Sequence, residues 1–179
     1  MAKFYDKLSS RLQTFIKNQK IFFVATAPKQ GRINLSPKGM DSLRVVNENR
    51  VLWLNVTGSG NETAAHILEN PRITLMMCSF EGAPNILRIY GKGRAIHPGD
   101  ADWNDVVGLF PETPGTRQIF DITVESAQTS CGMSIPFFEY KGEREELNDW
   151  AREKGNEGIQ KYWQDRNLTS IDGKPTGLQ

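Results

Sequence analysis

The residues whose types and spacing point most directly to chemistry are Thr57-Gly58-Ser59-Gly60-Asn61-Glu62-Thr63, with the helix-forming run that follows. A glycine-rich turn exposes backbone N–H groups, and a helix start adds unpaired donors and a partial positive charge. Together they suit a phosphate group. Ser59, Asn61 and Thr63 can add side-chain donors. The Gly-Lys-Ser/Thr ending of a nucleoside triphosphate loop is absent. Ser59 and Glu62 have the spacing of a capping box, which predicts a helix start near Gly60. A capped helix after a flexible turn therefore explains the same residues with no ligand at all.

A second constellation is Arg32-Ile33-Asn34-Leu35-Ser36-Pro37-Lys38. As a strand, it places Arg32, Asn34 and Ser36 on one face and Ile33 and Leu35 on the other. The polar face either meets water or lines a ligand cleft, with Lys38 near an anionic or electron-rich group. Trp53 sits mid-strand, where a core aromatic is the plain reading. Arg88 is flanked by apolar residues in Ile86-Leu87-Arg88-Ile89-Tyr90. An arginine so placed tends to find a carboxylate or phosphate, unless the strand simply exposes it. His66 is expected as a surface residue of the short helix, and Cys131 as a small buried thiol. No Ser/His/Asp arrangement or distinctive carboxylate pair supports acid/base hydrolysis, and no residue is assigned a catalytic role.

The elements that must position these residues read as mainly β. Residues 3 to 18 carry Phe4, Leu8, Leu12, Phe15 and Ile16 on one helical face. Strands are expected at 21–26, 32–36 (ended by Pro37), 50–55, 72–79, 86–96 and 118–130. Gly91 and Gly93 suggest a bend or close backbone packing in the long fifth strand. A short helix is expected after Pro98. Near the C-terminus, Leu147, Trp150 and Ala151 form one helical stripe, ended by Gly155, and Ile159, Tyr162 and Trp163 form a second. Residues 170 to 179 read as irregular. Strict βαβ alternation is absent, which argues against a doubly wound parallel sheet and for an antiparallel barrel with helices at its edges. We divide the chain into a barrel domain with its N-terminal helix, residues 1–140, and a helical extension packed on it, residues 141–179.

Composition narrows the function classes. A formal charge of +1 over 179 residues provides no long-range field for nucleic acid. No apolar run has signal-peptide or membrane-spanning length, so a cytoplasmic location with no membrane partner is the expectation. Two cysteines, Cys78 and Cys131, and two histidines, His66 and His97, argue against a disulfide framework and a structural metal site.

In order along the chain, Arg32 to Lys38, Arg50-Val51-Leu52-Trp53-Leu54-Asn55, the glycine-rich turn with its helix, Asn70-Pro71-Arg72-Ile73-Thr74-Leu75 and Arg88-Ile89-Tyr90-Gly91-Lys92-Gly93-Arg94 resemble the pyridoxamine 5′-phosphate oxidase-like, FMN-binding split β-barrel family. The resemblance spans roughly residues 18 to 97. It implies FMN held at the interface of a homodimer, with Arg32, Asn34, Ser36 and Lys38 along the flavin ring and ribityl chain. It places Trp53 in the second flavin-contacting strand, and Ser59, Asn61 and Thr63 at the phosphate loop. Arg88 falls on a strand that reaches the flavin from the partner subunit. Where the vitamin B6 oxidases carry Ser-Arg-Lys, this chain has Asn61-Glu62-Thr63. The phosphate is then expected to rely on backbone N–H groups, Ser59, Thr63 and an arginine from elsewhere, with Glu62 turned back to cap the helix. The C-terminal segment also departs from those oxidases, so pyridoxamine phosphate oxidation is not expected. The resemblance implies an FMN-dependent oxidoreductase with a small-molecule substrate or electron donor. The alternative is a non-enzymatic carrier of flavin, haem or another cofactor on the same barrel.

Overall fold

The computed structural model describes residues 2–179. Its eight strands are β1 (Lys3–Tyr5), β2 (Phe22–Thr26), β3 (Asn34–Lys38), β4 (Leu43–Asn47), β5 (Arg50–Val56), β6 (Arg72–Cys78), β7 (Ile86–Ile96) and β8 (Thr116–Ser130). Four helices flank them: α1 (Ser10–Asn18), α2 (Glu62–Glu69), α3 (Trp103–Val107) and α4 (Glu146–Arg166). The strands form one antiparallel sheet in the order β3-β2-β6-β7-β8-β5-β4, with β1 added to the far half of β8. The edge strands β3 and β4 are consecutive in sequence and joined by the turn Gly39–Ser42. The sheet therefore curls until its ends approach without hydrogen-bonded closure, which is a split barrel.

The curl has local causes. A bulge lies between Tyr90 and Gly91 in the pairing of β7 with β8, and bulges bend and twist a strand. Gly91 lies so close to β8 that an added Cβ would sit 2.2 Å from the Thr123 carbonyl oxygen. Inside the barrel, Leu8, Leu12 and Ile16 pack with Val24, Trp53, Leu75, Ile89, Phe120 and Ile122. A smaller core forms on the opposite face of β5, where Leu52 and Leu54 meet Ile96, Val106, Phe110 and Ile119. Alternate residues of β5 thus face two different apolar layers, and its middle is buried on both sides.

Several expectations change. Residues 3 to 18 are not one helix, because Lys3, Phe4 and Tyr5 pair with Thr129, Gln128 and Ala127 of β8 and the helix begins only at Ser10. Pro37 does not end its strand. It lies within β3 opposite Phe23, and an edge strand tolerates a missing N–H. β4 has no counterpart among the expected strands. The two C-terminal stripes, by contrast, are separated at Gly155 as expected: α4 is two helical segments meeting at that residue, whose φ of 61° and ψ of 176° break the helix. Residues 168 to 178 are irregular but anchored by the Thr169–Pro175 bridge and the Thr176–Leu168 backbone bond. Among the described residues, no helix is long and apolar enough to cross a membrane.

Candidate functional site

A cavity of about 720 Å³ opens between β3, β5, the loop before α2, and the C-terminal tail. The pleat of β3 turns Asn34, Ser36 and Lys38 toward it and leaves Leu35, on the other face, 65% exposed, while Ile33, just before the strand, also lines the cavity and is 77% exposed. The polar face of this strand is thus the inner one, reversing the usual apolar-in pattern. Asn34 Nδ2 donates to Thr63 Oγ1 at 3.3 Å, and Ser36 Oγ donates to Asn34 Oδ1 at 3.1 Å. Trp53 forms the floor. It is buried, stacks on Phe120 at 4.7 Å between centroids, and carries the Lys38 ammonium 5.2 Å from its ring. Such a stack adds about 1 kcal/mol beyond burial.

The glycine-rich loop is held by groups outside it. Thr57 is pinned through its N–H and hydroxyl to the Gly115 carbonyl, each at 2.8 Å, and accepts a bond from Trp163 Nε1 at 2.7 Å. Gly58, Ser59 and Gly60 line the cavity. Asn61 occupies the N-cap position of α2 but makes no side-chain cap bond. Its amide is buried and paired with Gln118, whose Nε2 donates at 2.8 Å. The capping box does not form. The Glu62 carboxylate instead accepts the backbone N–H of Ile171 in the tail, at 3.1 and 3.2 Å.

Two cations dominate the electrostatics. Lys38, largely withdrawn from water, is lowered from 10.5 to about 8, first by burial and then by repulsion from Arg117. Arg117, at the start of β8, is only 2% exposed, and burial lowers it from its ordinary value to about 10. Its protein acceptors are neutral: Asn167 Oδ1 at 2.6 Å and the Gly60 carbonyl at 3.2 Å. Its Nε finds no partner among the described residues. Burying like charges together without a carboxylate is costly, and an anionic ligand offsets that cost.

Seven of the nine expected site residues, Arg32, Asn34, Ser36, Lys38, Trp53, Ser59 and Thr63, line this one cavity. Asn61 is turned to Gln118. Arg88, half-buried on β7, donates to Ser130 Oγ at 3.2 Å and lies outside the cavity. His66 is not a surface residue. It is 1% exposed and lines the cavity, its Nδ1 lies 3.0 Å from Thr26 Oγ1, and its Nε2 is buried without a partner. The expectation failed because α2 is covered on more than one side, so that Thr63 to Ile67 are buried without a break. Cys131 is exposed rather than buried, because β8 ends at Ser130 and the chain leaves the sheet. Arg117 and Arg166 were not singled out in sequence. A lone arginine beside turn residues carries no spacing signal, although the missing phosphate cations called for one. Among the described residues, no cluster of three or more His, Cys, Asp or Glu could hold a metal.

The tail closes one side. Arg166, Thr169, Ser170 and Ile171 line the cavity. Asp172 pairs with the Arg32 guanidinium and accepts its backbone N–H at 2.7 Å, which holds the Asp172 carboxyl below its usual range. Lys174 donates to Glu69 at 2.7 Å.

Comparison with known proteins agrees with this architecture. Residues 8–131 match the family described as pyridoxamine 5′-phosphate oxidase. The pyridoxamine 5′-phosphate oxidase family protein ustO of Aspergillus flavus is 33% identical over 199 aligned positions, spanning 98% of this chain and 78% of that protein. HutZ, the heme storage protein from Vibrio cholerae, has the same fold, with a TM-score of 0.52 at 19% identity over 71% of this chain and 98% of its own. The FAD binding protein from Mycobacterium smegmatis superposes with a TM-score of 0.50 at 12% identity over 70% of this chain and 97% of its own. The match across most of the barrel, joined to a relative that aligns along nearly the whole chain, means that this chain belongs to the pyridoxamine 5′-phosphate oxidase family.

Proposed function

We propose that the cavity binds FMN and that the protein is an FMN-dependent oxidoreductase acting on a small-molecule substrate or electron donor. The observation that carries this reading is the pair Lys38 and Arg117, one cation half-buried and one buried, neither paired with a carboxylate, beside a glycine-rich loop at a helix N-terminus. The donor set fits a flavin phosphate. The cavity volume lies within the range of cofactor sites, about 300–1,000 Å³. Arg117, Ser59 and the loop N–H groups would hold the phosphate. Asn34, Ser36 and Thr63 supply short polar groups suited to a polyol chain, and Trp53, Ile33 and Val56 supply apolar surface for a planar ring. Lys38 supplies positive charge at the ring end. A bound flavin supplies hydride and single-electron transfer. A relative by fold that binds FAD supports a flavin in general terms.

The reading includes a homodimer with the flavin at the subunit interface. Its support is the outward apolar Leu35 on an edge strand beside the cavity, with the exposed Ile33 at the cavity next to it, since exposed apolar patches mark contact surfaces. Arg88 would then reach the partner's flavin.

A second reading, a carrier that holds a cofactor without turnover, is favoured by His66. His66 lines the cavity, and its Nε2, buried without a partner, is the kind of atom that ligates a haem iron, and HutZ is a heme storage protein.

Absorption spectra of the purified protein, taken before and after incubation with FMN or haemin and desalting, test both. Stoichiometric retention of flavin, followed by bleaching with NAD(P)H, supports the oxidoreductase. Retention of flavin without bleaching by any donor leaves the carrier. A Soret band that disappears in His66→Ala, together with refusal of FMN, replaces the flavin by haem.

A further inference from the structure

The C-terminal extension enters the anion site through one side chain. Asn167, immediately after α4, is fully buried, and its amide is divided between the two parts of the site. Its Oδ1 accepts from Arg117 Nη1 at 2.6 Å, and its Nδ2 donates to the Gly58 carbonyl at 3.1 Å. A guanidinium only donates and a carbonyl only accepts, so the two neighbours fix which way the amide points. The backbone is held as well. Asn167 N–H donates to the Trp163 carbonyl at 2.8 Å, and its own carbonyl accepts from Thr176 Oγ1 at 2.7 Å.

This arrangement does something an aspartate could not. A carboxylate at 167 has the same shape but would neutralise Arg117 and repel the Gly58 carbonyl. The amide orients the guanidinium and leaves its charge uncompensated. It also ties that cation and the glycine-rich loop to the end of α4.

We infer that Asn167 is the positioning residue of the anion site, holding Arg117 as a free cation for the ligand phosphate and so setting the preference for phosphorylated over unphosphorylated ligands. The inference rests on the proposed phosphate-bearing flavin. It makes the C-terminal extension part of the binding machinery.

The test uses the full-length protein with Asn167→Asp and Asn167→Ala, titrated with FMN, riboflavin and inorganic phosphate. Riboflavin keeps the ring and polyol and lacks only the phosphate. Asn167→Asp should weaken FMN and phosphate by about tenfold or more, while riboflavin changes less than about twofold. Asn167→Ala should lower the FMN-to-riboflavin preference by a smaller factor. Equal loss of FMN and riboflavin would reveal a merely structural role and overturn the inference, as would an unchanged ratio. If Asn167→Asp does not fold, the ratio in Asn167→Ala decides. If the wild type binds neither flavin, the flavin reading fails and the phosphate titration decides for Asn167 alone. Phosphate binding weakened by Asn167→Asp keeps the inference, and absent or unchanged phosphate binding overturns it.

Discussion

Replacing Arg117 by methionine should separate ligand binding from stability. Burial lowers the guanidinium from its ordinary value to about 10, a displacement worth about 3 kcal/mol against the charged form. Methionine removes that cost and fills part of the same volume. It also leaves Asn167 Oδ1 and the Gly60 carbonyl without their donor, at about 1–3 kcal/mol for each acceptor that stays dry. The contributions oppose each other, so we expect a net change between about 1 kcal/mol of stabilisation and about 3 kcal/mol of destabilisation. That corresponds to a melting shift of less than about 12 °C for a chain of this size. Binding has no such compensation. Loss of one charge-assisted bond to a phosphate costs about 1.5–3 kcal/mol, so FMN should weaken by about tenfold to 150-fold. Riboflavin should be nearly unaffected. Arg117 titrates only near pH 10, below its ordinary value. The cost of its charge is therefore constant at every lower pH, and measurements between pH 6 and 8 are free of its titration. Fluorescence titration with both flavins, beside calorimetric melting, is the assay. A parallel fall in FMN and riboflavin affinity, or an unaltered FMN affinity, would refute the assignment of Arg117 to the phosphate.

Further outcomes follow from the same geometry. Lys38 has a folded value of about 8 against 10.5, so the unfolded chain binds more protons between those pH values. Stability should therefore rise with pH across that window, by at most about 3 kcal/mol. The rise should vanish in Lys38→Met, as should the loss of FMN affinity above pH 8, both checked by denaturation and titration over pH 7–10. Gly91→Ala places a methyl group 2.2 Å from the Thr123 carbonyl, which backbone cannot evade cheaply. Urea unfolding should show a loss of more than about 3 kcal/mol. Asp172→Asn removes the ion pair to Arg32, so limited proteolysis should cut the 169–177 segment faster. An unchanged cleavage rate would mean that Glu62, Lys174 and Thr176 hold the tail without Asp172.

Much of the sheet was legible from local pattern. The runs around Trp53, Leu75, Ile89 and Ile122 are strands because short segments rich in apolar, β-branched and aromatic residues are bounded there by turn residues, and Gly91 correctly marked a close approach. β1 and β4 were not legible. Three residues, Lys3 to Tyr5, become a strand only because the far end of β8 offers an unpaired edge, and helical spacing from Phe4 to Ile16 masks that. Within the site, the face of β3 and the glycine-rich loop were visible. The burial of His66 and the closing cation Arg117 were not. Each depends on contacts across more than 30 residues, to Thr26 in one case and Asn167 in the other.

The amino-acid sequence by itself determined an antiparallel barrel, the place of its anion-friendly loop, and a polar strand able to line a cleft. Alternation, turn chemistry and helix starts are local effects and can be read from neighbouring residues. Only the tertiary structure decided that the polar face of β3 points inward, that Glu62 serves the tail rather than its own helix, and that Arg117 is buried beside Lys38. The reason is physical. Burial and charge compensation are properties of what surrounds a side chain, and at this site the surroundings come from β8 and the last thirteen residues of the chain.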